Sequence, residues 1–265
     1  MAGMSTSAVI ALGGNLGNVP ATFVSAVQAL HQSNACRVTA VSPNFVTRAI
    51  GNEAGDDYVN AAVRLEVACS PIELLRTLQS IETGLGRVRN VHWGPRTLDL
   101  DLVSYGHEII IEPGDRLGTE QPDAVAAFNS LVSTQQAMLI VPHPACWYRR
   151  FVLDPWCEIA PDWRHPVLQE SVRDMRDRLR QRPLRLSLVS GPGAEKLANE
   201  LRSSFSSTQI ELVDPSSSGE MQFWSGSGLL PSQTVLRQVW LPSYEEMEAA
   251  KQIVRAMLDE PKRLS

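Results

Sequence analysis

The spacing of apolar residues predicts alternating strands and helices in the first half of the chain. A short apolar run at 9–12 ends in a Gly-Gly-Asn turn, and residues 58–67 alternate apolar with charged side chains, so both segments are predicted strands. Residues 70–86 are predicted to form a helix, because a Ser70–Glu73 capping box precedes leucine and isoleucine at helical spacing. Several predicted strands are polar on one face, which favours an α+β fold with a mostly antiparallel sheet.

The pattern changes after about residue 180 and predicts a small second domain of α/β type. Its predicted elements are a strand at 184–188, a helix at 197–205, a strand at 210–213, a Ser/Gly-rich loop at 215–232, a strand at 234–241 and a helix at 246–257. We therefore divide the chain into a first domain at 7–180 and an accessory domain at 184–265.

Composition excludes several classes of protein. The formal net charge is −5, and residues 184–265 carry 8 basic and 10 acidic side chains, so neither domain has the basic field of a nucleic-acid binder. No apolar run approaches the roughly 18 residues of a membrane span, and the N-terminus lacks the basic region of a signal peptide. None of the four cysteines falls in a CxxC pair. We therefore predict a cytoplasmic protein with no nucleic-acid partner and no membrane partner.

Two carboxylates stand out on a predicted strand at 97–103. Asp99 and Asp101 alternate with leucines and so share one face, about 6.6 Å apart along the strand. Two such carboxylates suit one or two magnesium ions, because like charges on an otherwise apolar strand are unfavourable without a cation. A solvent-facing strand edge with two acids is the alternative interpretation.

Basic and polar residues near these acids suit a polyphosphate. Arg87, Arg89 and Arg96 lie upstream of the acids around Trp93, and arginine recognises phosphate through bidentate hydrogen bonds. Taken singly, each arginine fits a solvated loop and Trp93 fits the core. Three further residues suit the same site, each with a surface or loop role as the alternative: Gln79 and Glu82, one helical turn apart, and His143, on a Val-Pro-His-Pro loop where it could donate to a phosphate.

The segment HWGPRTLDLDLV at 92–103 resembles the signature of the 6-hydroxymethyl-7,8-dihydropterin pyrophosphokinase family. The likeness extends from ALGGNLGN at 11–18, through DYVNAAV at 57–63, to the Val-Pro-His-Pro loop and the Glu-Ile-Ala-Pro at 158–161. The resemblance implies a ferredoxin-like core and transfer of the pyrophosphoryl group of ATP to the pterin hydroxymethyl group, with release of AMP. It also implies a pair of Mg²⁺ ions.

The resemblance assigns roles to individual positions. Asp99 and Asp101 would hold the magnesium ions, with Asp99 also helping to accept the hydroxyl proton. The residues implied to act on the triphosphate and in the catalytic loop are Arg87, Arg89 and Arg96. Those implied to line the ATP site are Gln79, Glu82, Leu102, His143 and Arg149. Those implied to bind the pterin are Thr47, Tyr58, Asn60, Trp93 and Phe151, of which Tyr58 and Phe151 equally fit core packing.

The chain departs from the family pattern in three loops. Arg48-Ala49 replaces a frequent Pro-Pro, Asn90 and His92 stand where basic residues are frequent, and 107–138 is an insertion with a helix-like segment. The changes at 48–49 and 90–92 motivate a second hypothesis, a pterin- or nucleotide-binding regulatory protein that has lost turnover, whereas the insertion is either a lid or inert, and we favour inert. A magnesium-dependent phosphohydrolase is a third. For 184–265 we expect an accessory role in packing or homodimerisation.

Overall fold

The computed structural model describes residues 5–34, 36–49, 55–87, 96–112, 115–117, 139–191, 193–214, 221–225, 238–241 and 246–264. The strands are β1 (Thr6–Gly14), β2 (Cys36–Val41), β3 (Phe45–Thr47), β4 (Tyr58–Val67), β5 (Asp99–Tyr105), β6 (Ile109–Glu112), β7 (Asp115–Leu117), β8 (Leu139–Val141), β9 (Leu184–Leu188), β10 (Ile210–Leu212), β11 (Met221–Ser225), β12 (Gln238–Leu241) and β13 (Lys262–Arg263). The helices are α1 (Val19–Gln32), α2 (Pro71–Gly84), α3 (Arg150–Ile159), α4 (Val172–Arg180), α5 (Ala194–Ser204) and α6 (Met247–Leu258).

The main sheet is antiparallel and has the order β13-β3-β4-β1-β5, with β2 also paired to β4. Every pair in this sheet is antiparallel, so the α+β class with a mostly antiparallel sheet is confirmed. Its two longest strands, β1 and β4, pair from Thr6 opposite Val67 to Gly14 opposite Val59. This long register holds the centre of the sheet and fixes the position of the strand ends where the candidate site lies.

Helices α1 and α2 cover one face of the main sheet. Each begins at a side-chain cap: the Asn18 side chain accepts from the Ala21 N–H at 3.2 Å, and Ser70 and Glu73 form the reciprocal capping box that the sequence predicts. Phe23 and Leu30 of α1 and Leu74 and Leu78 of α2 are buried against the sheet. Burial of these side chains stabilises the layer by roughly 1.5–3 kcal/mol each.

Helices α3 and α4 cover the opposite face together with the C-terminal unit. Side chains alternate across β1, so Val9 joins this second core whereas Ile10 joins the first. The C-terminal strands form a parallel sheet of order β10-β9-β11-β12. Leu186 and Phe223 of that sheet belong to the same buried cluster as Trp156 of α3. Among the described residues, the second core is therefore shared by both predicted domains.

Two predictions of secondary structure need correction. The Ser/Gly-rich segment 215–232, predicted as a loop, contains β11, which is a central strand of the C-terminal sheet. Met221, Gln222 and Phe223 are all buried, because a strand inside a parallel sheet is covered on both faces and shows no alternation. The strand predicted at 97–103 runs instead from Asp99 to Tyr105.

The predicted insertion at 107–138 is partly described. Its β6 and β7 form an antiparallel hairpin, and β6 also pairs with β8 to complete a three-stranded sheet. The helix-like segment at 123–133 lies outside the described residues. In the part of the chain with described structure, no helix is both long and apolar enough to cross a bilayer.

His165 makes the stability of the fold dependent on pH. The side chain is buried, its Nδ1 accepts the N–H groups of Val167 and Leu168, and burial lowers its pKa to about 3. The unfolded chain takes up this proton near pH 6.5 and the folded chain only near pH 3, so the free energy of unfolding falls as the pH drops through that window. At pH 5 this one group lowers it by about 2 kcal/mol.

We therefore expect His165→Asn to weaken the change in thermal unfolding midpoint between pH 7 and pH 5. The comparison of the two pH values within each protein separates titration from any loss of packing. A variant whose midpoint falls with acid as steeply as that of the parent would contradict the assignment.

Candidate active site

One row of residues across three strands forms the floor of the candidate site. Gly13 of β1 stands opposite Asn60 of β4 on one side and opposite Asp99 of β5 on the other. A Cβ atom at Gly13 would lie 3.6 Å from Asn60 Oδ1 and 3.9 Å from Asp99 Cβ. Glycine therefore leaves the space between an amide and a carboxylate open, and a ligand can reach both.

Asp99 is held by two of the predicted arginines. Arg87 Nη1 lies 2.6 Å from Asp99 Oδ1, and Arg96 Nη1 lies 2.7 Å from Asp99 Oδ2. All three side chains are only partly exposed, so the charges attract one another more strongly than on an open surface. The predicted residues Arg89 and Trp93 lie outside the described residues.

Asp101 lies two residues further along β5, on the same face as Asp99 and opposite Ala11 of β1. Among the described residues, no group of three or more histidine, cysteine, aspartate or glutamate side chains is arranged to hold a metal ion. Two carboxylates nevertheless fit Mg²⁺, which is commonly bound by one or two carboxylates with substrate phosphates and water as the other ligands. The donors present thus fit a magnesium ion that arrives with a polyphosphate.

Glu82 lies beneath the charged cluster rather than on the surface. It is 2 % exposed, its Oε1 accepts the Leu100 N–H at 2.7 Å, and it pairs with Arg87. Burial raises the pKa of Glu82, while the Leu100 N–H and the Arg87 charge oppose that rise. Glu82 therefore joins the last turn of α2 to β5 and orients Arg87. Gln79, predicted to share the site, is exposed on α2.

Asn15 connects the β1 turn to the loop before β5, and sequence reasoning assigned it no role. Its Oδ1 accepts the Arg96 N–H at 2.8 Å, its own N–H donates to the Arg96 carbonyl at 2.9 Å, and its Nδ2 donates to the Asp56 carbonyl at 3.2 Å. The neighbouring Gly14 is required sterically, since a Cβ there would lie 2.8 Å from the Thr97 carbonyl oxygen. The Gly-Gly-Asn turn was the signal that could have indicated this close approach.

His143 lies beside β5, at the edge of the main sheet, and its ring is uncharged near neutral pH. Its N–H donates to the Val103 carbonyl at 2.9 Å, and its Nδ1 accepts the Ala145 N–H at 3.1 Å. Burial, aided by the positive charge of Arg149, lowers the pKa of His143 to about 3, although Asp99 opposes the shift. With Nδ1 accepting, the proton resides on Nε2, which leaves His143 a hydrogen-bond donor.

The remaining predicted ATP-site residues occupy different positions. The guanidinium carbon of Arg149 lies 5.7 Å from the centre of the Phe151 ring and 6.0 Å from that of Tyr148, so its charge is placed between two aromatic faces. Leu102 is 4 % exposed and its side chain belongs to the core under α1 and α2. Only its backbone is therefore available at the edge of the sheet.

Three of the predicted pterin-side residues lie together at the Asn60 end of the row, on β3 and β4. Asn60 Nδ2 donates to Thr47 Oγ1 at 2.9 Å, and both side chains are buried. Tyr58 stands opposite Thr47 in the β3–β4 pairing. Burial raises the pKa of Tyr58, while the charges of Arg96 and Asp99 respectively lower and raise it, so this ring lies within electrostatic reach of the charged cluster. Phe151 is partly buried and packs against the second core.

Comparison with known proteins decides the family. The sequence profile of 7,8-dihydro-6-hydroxymethylpterin-pyrophosphokinase (HPPK) matches residues 9–161, which is more than half of the chain. The chain belongs to the HPPK family. The HPPK match includes every residue of the candidate site described above, and it ends before α4 and the C-terminal sheet.

The alignments with three curated relatives span most of the length of each relative. The chain is 42 % identical over 159 residues to a Synechocystis sp. protein, spanning 60 % of this chain and 69 % of the relative. It is 39 % identical over 157 residues to a Bacillus subtilis protein, spanning 59 % and 80 %. It is 34 % identical over 174 residues to a Haemophilus influenzae protein, spanning 64 % and 94 %. All three are named 2-amino-4-hydroxy-6-hydroxymethyldihydropteridine pyrophosphokinase.

Proposed function

We propose that this chain transfers the terminal pyrophosphoryl group of ATP to the hydroxymethyl group of 6-hydroxymethyl-7,8-dihydropterin, giving AMP and the pterin diphosphate in folate biosynthesis. Family membership supports the reaction. The observation that carries it is the row Asn60–Gly13–Asp99, because it places an amide that can recognise a pterin next to a charged cluster that suits a polyphosphate.

The pterin side of the row offers complementary polar and aromatic groups. Asn60 has both a donor and an acceptor and can match the amide-like edge of a pterin, while the Thr47 hydroxyl fixes its orientation. Tyr58 and Phe151 are partly exposed and supply ring faces for stacking. We propose that these residues hold the heterocycle with its hydroxymethyl group directed along the row toward Asp99.

The triphosphate side is rich in donors. Arg87 and Arg96 pair with Asp99, and their guanidinium groups would turn to phosphate oxygens when ATP binds. The Nε2–H of His143 and the charge of Arg149 lie beyond β5 and suit the remaining phosphate oxygens. Burial lowers the pKa of His143, and its Nε2–H would orient the phosphate chain as a hydrogen-bond donor.

Asp99 and Asp101 would hold the magnesium ions, two of which the family resemblance implies. Bound there, Mg²⁺ would neutralise the triphosphate charge and align the leaving and attacking oxygens. Asp99 lies across Gly13 from Asn60, so its carboxylate would accept the hydroxyl proton of a pterin whose hydroxymethyl group is directed along the row, as the new P–O bond forms. Catalysis on this proposal is mainly positioning and charge neutralisation.

We also propose that the HPPK core is ferredoxin-like. The order β4-β1-β5 with β2 and β3 beyond β4, and α1 and α2 on a single face, support a β-α-β-β-α-β arrangement in which a split strand precedes β4. The proposed HPPK domain is 7–180, and 184–265 is an accessory α/β unit packed against it.

The experiment that tests the reaction is AMP formation from ATP by the purified full chain. We expect AMP to appear with Mg²⁺ and 6-hydroxymethyl-7,8-dihydropterin together, and not when either is omitted. Binding of pterin or ATP without AMP would favour the regulatory protein that the altered residues at 48–49 and 90–92 motivate. Phosphate or pyrophosphate release without pterin would favour a hydrolase instead.

A further inference from the structure

The last residues of the chain return to the sheet that carries the site. After α6 ends at Leu258, β13 pairs antiparallel with β3, placing Lys262 opposite Val46 and Arg263 opposite Phe45. The Leu264 N–H then donates to the Asn44 carbonyl at 2.8 Å. A strand from outside the family match at 9–161 thus forms one edge of the HPPK sheet.

Strand β3 is short and carries Thr47, one of the residues proposed to bind the pterin. It has three residues, and its last one, Thr47, accepts the hydrogen bond from Asn60 at 2.9 Å. A three-residue strand at a sheet edge has few hydrogen bonds to hold it and opens easily. Pairing with β13 on one side and β4 on the other converts β3 from an edge strand into an internal strand.

The segment that leads into β13 is also attached to α3. The Arg263 guanidinium lies 3.9 Å from the Glu158 carboxylate. Asp259 lies within electrostatic reach of Arg150 and Asp154, on the first turns of α3. Burial raises the pKa of Asp259 to about 6, although the Arg150 charge opposes that rise. These contacts hold residues 259–263 beside α3, which itself contacts β3. Strand β13 is therefore anchored to the first domain and not only connected to α6.

We propose that β13 is a positioning element of the pterin pocket: by pairing with β3 it holds the Thr47 hydroxyl against Asn60 and so couples the C-terminal unit to substrate binding. That the substrate bound beside Thr47 and Asn60 is a pterin rests on the proposed function. The charged cluster of Arg87, Arg96 and Asp99 lies at β5, the opposite edge of the sheet from β13. The coupling therefore acts on the pterin and leaves ATP binding unchanged.

The test compares two substitutions at one position. Leu264→Pro removes the N–H that donates to Asn44, whereas Leu264→Ala keeps it and shortens a side chain that is already 39 % exposed. We expect the proline variant to raise the KM for the pterin about three- to tenfold, with the KM for ATP and kcat within about twofold of the parent. The alanine variant should match the parent.

A second pair repeats the test two residues earlier. Alternation of hydrogen bonds in an antiparallel pair gives Lys262 the same bonded position as Leu264, so Lys262→Pro should act like Leu264→Pro and Lys262→Ala should not. Hydrogen exchange of the β3 amides at 45–47 should be faster in both proline variants. Four results would overturn the inference: no change in pterin KM, equal rises for pterin and ATP, the same rise with alanine, or unfolding of both proline variants where the alanine variants stay folded.

Failure of the proposed function and failure of the positioning role of β13 give different results. If the parent chain forms no pterin-dependent AMP, the proposed function is wrong, and hydrogen exchange at 45–47 still reports whether β13 holds β3. If the parent is active and the proline variants keep its pterin KM, the proposed function stands and the positioning role is wrong.

Discussion

Asp99→Asn and Asp101→Asn are each expected to lower kcat for AMP formation by at least about a hundredfold. Asparagine keeps the size of the side chain but removes the charge that would hold Mg²⁺ and, at Asp99, the charge that organises Arg87 and Arg96. The measurement is steady-state AMP production at saturating ATP and pterin, repeated over a range of Mg²⁺ concentrations.

Asp162→Asn is the matched control, because Asp162 is also an aspartate paired with an arginine but its side chain is 87 % exposed and far along the chain from the HPPK strands. It should retain parental activity. Parental turnover by Asp101→Asn at low Mg²⁺ would show that this carboxylate is not a metal ligand. Parental turnover by both active-site variants would contradict the entire assignment of the charged cluster.

Glu82→Ala is expected to lower the free energy of unfolding by about 2–4 kcal/mol and to reduce kcat/KM by about tenfold or more. The substitution leaves the buried Leu100 N–H without its acceptor and removes from Arg87 one of the two carboxylates with which it pairs among the described residues. Urea unfolding and AMP formation, measured on the same preparation, give the two numbers.

Glu82→Gln separates the two contributions of this carboxylate. The glutamine Oε1 can still accept the Leu100 N–H, so stability should largely return, whereas the lost charge leaves Arg87 less well oriented and activity reduced. A Glu82→Ala variant with parental unfolding and kinetics would contradict the role of this buried acid. Equal loss of stability in both variants would show that the Glu82–Arg87 ion pair, and not the hydrogen bond from the Leu100 N–H, is the stabilising contact.

Local signals in the sequence predict the helices and the acidic strand because each element carries its own chemistry. The Ser70–Glu73 capping box is made within four residues, and the structure contains both of its hydrogen bonds. Alternation likewise places Asp99 and Asp101 on one face of β5 before any tertiary contact is known. These features depend on neighbours in the chain, which is why periodicity finds them.

Features that depend on distant contacts are not visible in this way. Strand β11 is buried on both faces within a Ser/Gly-rich stretch, so neither alternation nor composition indicates it. Glu82 follows Leu74 and Leu78 at a spacing of four on the buried face of α2, but its charge favours a surface position, and its contact with Leu100 of β5 satisfies the carboxylate there. Asn15 likewise acquires its role from Arg96, 81 residues away.

The burial of the main sheet on both faces has a consequence for how the protein can be divided. A fragment ending at residue 161, where the family match stops, would lack α4 and the C-terminal strands that cover Leu153 and Trp156. Those side chains are fully buried in the whole chain, and in the fragment they would form an exposed apolar patch on α3. A fragment cut at that boundary would therefore favour self-association, because its second core would be left open to water.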